Sequence, residues 1–163
     1  MSITIEIPGF RKIQASRMIS DFTGTLAFAG RLHDGVVDRL QTLKSIIRID
    51  VVTSDSFGTA QTELDRVPLT ARVLLGEDGP ADEQKRAIAL SGDPRVVVAF
   101  GNGRNDRLLL QTVKEAGGLA VAVDNGEGCA LEAILNSDLV IFGAENALDL
   151  VLDLTRTKAT LRL

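Results

Sequence analysis

Hydrophobic and polar positions change period several times along this chain, and each change marks an element. "ITIEI" alternates strictly, meets Pro8-Gly9 and is followed by "RKIQASRMIS", so residues 1–16 read as a β-hairpin set at an edge, running into a strand that ends at Asp21. "DGVVDRLQTLKSI" then carries its apolar residues at helical spacing, "IRIDVVTS" is strand-like, and "SFGTAQTELDRV" returns to the helical period with Ser56 as its N-cap. "ARVLLG" predicts a short strand and "PADEQKRAIALSG" a helix with Pro80 early and Gly92 at its end. "RVVVAFG" is the continuous apolar run of a strand buried on both faces. The remainder repeats the alternation: helix "RNDRLLLQTVKEAGG", strand "LAVAV", helix "GCALEAILNS", strand "LVIFG" and a closing helix from about Glu145.

Repeated strand–helix units call for a parallel sheet with helices on both faces, an α/β fold. A chain of 163 residues is enough for one such domain with a real core, so 1–163 is read as a single domain with the hairpin as its extension. Between Thr53 and Lys85 there is room for one helix and one strand, and the stretch from Asp21 to Thr53 is equally brief. No large cap domain fits in either, and any site at the strand ends is expected to be open.

Composition narrows the partners. The formal charge is −4 and the basic residues are scattered, so no stripe provides an electrostatic footprint for nucleic acid. A phosphorylated small molecule or phosphoprotein needs no such footprint. Cys129 is alone, which leaves no intramolecular disulfide and points to a reducing compartment. Nowhere do about 18 uninterrupted apolar residues occur to span a bilayer, and Glu6, Arg11 and Lys12 break up the start of the chain, so the expected location is cytoplasmic, away from membranes. His33, near a helix start, is given no role.

In sheets of this kind ligands bind beyond the carboxyl ends of the strands. Asp21 follows the first central strand, Thr53 follows "IDVV", "GNGRND" (101–106) follows "VVVAF", and Lys85 lies on the helix before that third strand. A carboxylate can attack phosphorus and hold the phosphoryl group covalently. The two anions repel, so a lysine, a divalent cation and hydrogen-bond donors are needed around them. Lys85 supplies the cation, the Thr53 hydroxyl a donor, and the turn at Gly24 free backbone N–H groups. Asp21, the Thr23 carbonyl and the acid of "GNGRND" offer Mg²⁺ its preferred oxygen ligands. Each signal alone has a plainer reading, as a turn former, a helix cap or a solvated lysine. Their occurrence in order at the functional ends of alternating units favours the chemical one.

At this point "DFTGTL", "VVTSD", the isolated Lys85 and "GNGRND" resemble the four motifs of the haloacid dehalogenase (HAD) superfamily of aspartate-nucleophile phosphohydrolases. The "D-x-TGTL" form resembles the phosphorylation motif of P-type ATPases, and with "DSFGTA" and "GNGRNDRLLL" the chain is similar to the small prokaryotic group called soluble P-type ATPases. The resemblance implies a Rossmann-like three-layer sandwich with a small flap at "AFAGRLH". It implies that Asp21 is the phosphorylated nucleophile, that Thr53, with Ser54, binds phosphate, and that Lys85 neutralises charge. It further implies that Asn105 contacts the phosphate region and Asp106 is the surviving acid of the metal motif.

Two positions depart from the phosphatase pattern. Thr23 stands where many relatives place a proton-shuttling acid; such help is worth roughly 10²–10⁴-fold, so turnover should be slow. Asn102 stands where a metal-binding Asp is usual. A unit charge pair at about 4 Å and an effective dielectric near 20 is worth on the order of 4 kcal/mol before desolvation, so Mg²⁺ should bind more weakly. The expected function is a slow Mg²⁺-dependent phosphohydrolase. The alternative is a non-catalytic HAD-fold binding module. A signalling receiver domain fits less well, because only Ser20 and Arg17 precede Asp21 where further acids are needed. The open site accepts a bulky substrate or is covered by a second copy in a homo-oligomer, and the sequence does not choose between these or establish ATP as a substrate.

Overall fold

The alternation in the first residues does form a hairpin, β1 (Ile3–Ile7) and β2 (Arg11–Ala15), in the computed structural model, which describes residues 1–163. It is not an edge ornament. The pair makes its own two-stranded antiparallel sheet, and its inward residues Ile5, Ile7, Ile13 and Ala15 are at most 2 % exposed and belong to the main core. A lone two-stranded hairpin is marginal in water, and this one is stabilised by burying its apolar face. Strict alternation announces such a face; it does not say what the face meets. Arg11 fastens the hairpin to the domain by donating to the Gly118 carbonyl at 2.5 Å and to Asp138 at 3.1 Å.

The chain then enters a six-stranded, wholly parallel sheet. Its strands are β3 (Arg17–Ser20), β4 (Arg48–Thr53), β5 (Ala71–Val73), β6 (Val97–Gly101), β7 (Leu119–Asp124) and β8 (Leu139–Phe142), in the order β5-β4-β3-β6-β7-β8. Every residue of β3 and β6 is buried, which explains why "VVVAF" reads as an unbroken apolar run. Successive side chains go to opposite faces. Met18, Val98 and Val121 join the core under α1 (Asp34–Lys44) and α6 (Ala144–Leu152). Ile19, Ala99 and Ala120 join a second core with residues of α3 (Ala81–Leu90), α4 (Arg107–Ala116) and α5 (Leu131–Leu135). The result is the three-layer α/β sandwich with a central parallel sheet.

Two helices differ from the periodicity. The segment 56–67 yields only α2 (Ala60–Leu64), and Ser56 does not cap it. Asp55, at φ 52°, turns its carboxylate to accept from the N–H groups of Thr59 and Ala60, and this holds residues 55–59 as a turn. The closing helix is two helices, α6 and α7 (Leu154–Leu161), because Asp153 leaves helical geometry and caps the second by accepting from the Thr155 N–H. No helix is long and apolar enough to cross a membrane.

The strand order reverses between β3 and β6. From β3 the chain crosses to β4 on one side, and the later strands build outward from the other, so loops from β3, β4 and β6 diverge around a crevice at their carboxyl ends.

Candidate functional site

Asp21 is the first residue beyond β3, and its N–H still donates to the Phe100 carbonyl of β6 at 3.0 Å, which fixes its backbone to the sheet. The chain then folds back sharply: the Phe22 carbonyl accepts from the N–H groups of Thr25, Leu26 and Ala27. Gly24 takes φ +76°, and a Cβ there would collide with the Asn102 amide, so only glycine lets this turn lie against the loop after β6. The Gly24 N–H donates to the Ala27 carbonyl at 3.0 Å. It is therefore committed within the turn, contrary to the expectation that it would be free for a phosphoryl oxygen. Short bridges, Thr23 with Ala27 and Phe28 with Arg31, complete the small flap.

β4 delivers Thr53, whose hydroxyl oxygen accepts from the Asp55 N–H at 2.9 Å and so keeps its own proton available to donate. β6 ends at Gly101, where a side chain would overlap Asp106. The carboxylate of Asp106 reaches back under the loop: one oxygen accepts from the N–H groups of Asn102 at 3.0 Å and Gly103 at 2.9 Å, and the other accepts from Lys85 at 2.6 Å. Lys85, on the inward face of α3, is wholly buried; its ammonium also donates to Asp21 at 3.0 Å and lies 3.5 Å from the Asn105 side-chain oxygen. One cation is thus shared by two carboxylates, and it lies nearer to Asp106.

Burial pushes the Asp21 carboxyl up to about 7, the Asp106 charge adds to this, and the Lys85 ammonium only partly offsets both. For Lys85, burial works against the charged form, but the Asp106 and Asp21 carboxylates outweigh it and hold the ammonium above its ordinary value. Lys85 is satisfied chiefly by Asp106, the nearer acid, and Asp21 is the undercompensated member. A carboxyl raised in the folded state stabilises the fold most below its unfolded value near 4, and that contribution is lost as pH rises through about 7. In a metal chelator, the melting temperature of Asp21→Asn is therefore expected to exceed that of the wild type at pH 8, with the gap closing towards pH 5. Differential scanning calorimetry across that range checks it; a constant gap would contradict the raised carboxyl.

Around the Asp21 carboxylate lies a cavity of about 170 Å³ with no hydrophobic lining. Asp21, Thr23, Thr53, Ser54, Asn102 and Asn105, all anticipated from the sequence, line it together with Ser56 and Gly103. Lys85 and Asp106 form the wholly buried layer behind it. The Thr23 hydroxyl oxygen is buried without a hydrogen-bond partner, as expected of a group that awaits a ligand. The Asn102 side-chain oxygen accepts from the Thr25 hydroxyl at 3.0 Å while its amide donates to the Gly128 carbonyl at 3.2 Å. Thr25 was not singled out from the sequence, although it is the second threonine of the "TGT" turn. Ser54 also borders a groove of about 280 Å³ towards Leu75, and Asn105 one of about 350 Å³ towards Arg107, so the cavity continues onto the surface.

Asp21, Thr23 and Asn102 are the lining residues whose oxygens suit a divalent cation. They fit as a site of low charge, since nowhere do three or more His, Cys, Asp or Glu converge as metal ligands. The largest cavity, about 610 Å³, contains none of these residues; it borders the hairpin at Arg11 and Lys12, and its Arg95 is paired with Asp93.

No protein-family model matches the chain. An uncharacterized protein of Methanocaldococcus jannaschii is 42 % identical over 66 residues, which are 40 % of this chain and 67 % of that protein. Solved structures match over almost the whole fold. The 3-deoxy-D-manno-octulosonate 8-phosphate phosphatase of Moraxella catarrhalis, in complex with magnesium, phosphate and its sugar, superposes with a TM-score of 0.65 at 13 % identity, over 90 % of each chain. The cobalt-bound enzyme of the same name from Haemophilus influenzae gives 0.64 at 12 % identity, over 91 % of this chain and 94 % of its own. A hydrolase of Legionella pneumophila gives 0.62 at 17 % identity, over 89 % and 86 %.

Proposed function

The chain has the fold of the haloacid dehalogenase superfamily, and on that premise we propose that it is a phosphohydrolase working through an aspartyl-phosphate on Asp21. The observation that carries this reading is the Lys85 ammonium 3.0 Å from Asp21, behind a cavity walled only by that acid, hydroxyls, amides and glycine.

Lys85 engages one Asp21 oxygen, which leaves the other to attack phosphorus. As the new O–P bond forms, the bond to the leaving oxygen breaks and that oxygen departs with its electron pair. The Thr53 hydroxyl, whose oxygen is already supported by the Asp55 N–H, donates to a phosphoryl oxygen; Ser54 and Asn105 border the same space. Water then attacks the adduct and returns inorganic phosphate and the free carboxylate. Mg²⁺, when bound at Asp21, Thr23 and Asn102, would neutralise part of the phosphoryl charge. Thr23 has no titrating group to protonate the leaving oxygen or activate water, so both steps rely on solvent. Breakdown of the adduct is the slow one, because no group at position 23 activates the attacking water. The substrate is a phosphorylated small molecule or phosphoprotein of the cytoplasm.

Slow breakdown gives a direct test. Protein mixed with an aryl phosphate and Mg²⁺, quenched in acid and digested, is expected to show a phosphoryl adduct on the peptide containing Asp21 by mass spectrometry. Phosphate release without that adduct would overturn the mechanism, and absence of both would favour the non-catalytic binding module. Thr53→Val removes one preorganised donor and is expected to lower the rate of adduct formation by about 10²–10³-fold, read by quenched-flow single turnover; it also takes the acceptor from the Asp55 N–H, so the melting temperature should fall by a few degrees.

A further inference from the structure

We propose that the leaving group of the substrate lies in the groove beside Ser54 and Leu75, and that it is an uncharged alcohol with an apolar face. The proposal rests on the phosphohydrolase reading above and names the substrate class for the same site. Two grooves continue the catalytic cavity, and their walls differ in kind. The groove of about 280 Å³ shares Ser54 with the cavity; Leu74, Leu75, Ala81, Gln84 and two glycines complete it, and none of these residues is charged. The groove of about 350 Å³ shares Asn105 and is bordered by Asp82, Arg104 and Arg107.

The charges of the second groove are already matched to one another or to a neighbour. Arg107 pairs with Asp82 at 2.9 Å and Arg104 with Glu132 at 3.2 Å, so a polar guest there would have to compete with these pairs. The first groove holds no ion pair to break. Taken with the cavity it opens from, it reaches the size at which ligand sites occur, about 300–1,000 Å³.

Gln84 shapes the first groove. Its amide donates to the Leu75 carbonyl at 2.8 Å and to the Gly79 carbonyl at 2.7 Å, which holds the loop after β5 against α3 while the Leu75 side chain stays half-exposed. Both amide hydrogens are thereby used, and the Gln84 oxygen can only accept. The walls therefore offer leucine side chains, one serine hydroxyl and one acceptor. They contain no cation to receive a carboxylate or a second phosphate, and burying such a group unpaired is costly. The surrounding segment acts in the same direction: from Leu74 to Gln84 it carries Glu77, Asp78, Asp82 and Glu83 and no basic residue. Charges this near the groove are only partly screened, the Debye length being about 8 Å at physiological salt. An uncharged apolar face meets none of these penalties and gains by leaving water against Leu74 and Leu75.

The leaving group departs as the adduct forms, so kcat/KM reports its fit even where later hydrolysis is slow. With 4-ethylphenyl phosphate and 4-carboxyphenyl phosphate as probes, the wild type is expected to favour the ethyl compound by about tenfold or more in kcat/KM. Leu75→Arg, at a half-exposed position, places a cation in the groove and should bring that ratio to one or below, whereas Arg107→Gln in the other groove should leave it unchanged. Equal rates, or a preference for the carboxylate, in the wild type overturn the proposal even if Leu75→Arg does not fold. A ratio that a folded Leu75→Arg leaves unchanged, or that Arg107→Gln abolishes, overturns it as well. The aspartyl-phosphate adduct separates the two readings. Adduct on Asp21 from both compounds at equal rates overturns the groove assignment alone, whereas neither adduct nor phosphate from either compound overturns the catalytic reading with it.

Discussion

Asp21→Asn is expected to lower phosphate release from an aryl phosphate by about four to six orders of magnitude, the scale on which removal of a covalent nucleophile acts. The variant is isosteric and keeps a hydrogen-bond acceptor for Lys85, so a loss of this size would not report misfolding. Asp21 is also the carboxylate that Lys85 serves less well, at 3.0 Å against 2.6 Å for Asp106. Neutralising it removes a poorly compensated buried charge and leaves the Lys85–Asp106 pair intact, so lost activity should accompany retained or increased thermal stability. Release of phosphate at comparable rates by the two proteins would remove Asp21 from the chemistry, whatever the rest of the cavity does.

Lys85 is expected to show the opposite combination. Its ammonium is completely buried and contacts both acids, and truncation to alanine would leave two carboxylates facing each other without a cation. Removing one partner of a buried ion pair costs about 3–5 kcal/mol, so Lys85→Ala should unfold at markedly lower denaturant as well as lose activity. Lys85→Met, which fills the space but strands both acids, separates charge from packing when set beside the double variant Lys85→Met with Asp106→Asn. The double variant fills the space and removes one of the stranded charges, and should regain a substantial part of that stability while remaining inactive. Urea melts of the three variants measure this. If the double variant were no more stable than Lys85→Met, the stranded charge would not be what destabilises the fold, and the shared-cation description would be wrong. The two losses are not expected to add, because both side chains belong to one hydrogen-bonded network.

What the sequence made legible here is bounded by what periodicity can express. The switch from period two to period 3.6 placed the ends of β3, β4 and β6, and a parallel sheet brings those ends to one edge. The meeting of Asp21, Thr53, Asn102 and Asn105 around one cavity therefore follows from topology, with Lys85 brought in by the inward face of α3. Hydrogen-bond partners are another matter. That Asp106 has no oxygen to spare, that the Gly24 N–H turns inward and that Thr25 holds Asn102 depend on loop paths a few residues long, for which no repeating pattern exists. The hairpin shows the same limit at larger scale. Its alternation was evident, but the core it joins runs from its neighbours Met18 and Phe22 to residues as distant as Leu148 and Val151. Ser56 and Asp153 show local chemistry overruling period. An Asp55 side chain that caps from one residue earlier, and an aspartate that ends one helix by starting the next, redraw boundaries that apolar spacing alone would smooth over.

The continuity of the cavity with the surface at Ser54 and Asn105 bears on what ends the reaction. Were Asp21 phosphorylated as proposed, its adduct would face a cavity that opens to the surface at two places, with no acid or base at position 23 to favour water over another nucleophile. Sugars, polyols and amines in the medium would compete with water on the basis of concentration and reactivity. On that reading the pocket would hand its phosphoryl group to abundant hydroxyl compounds as well as to water.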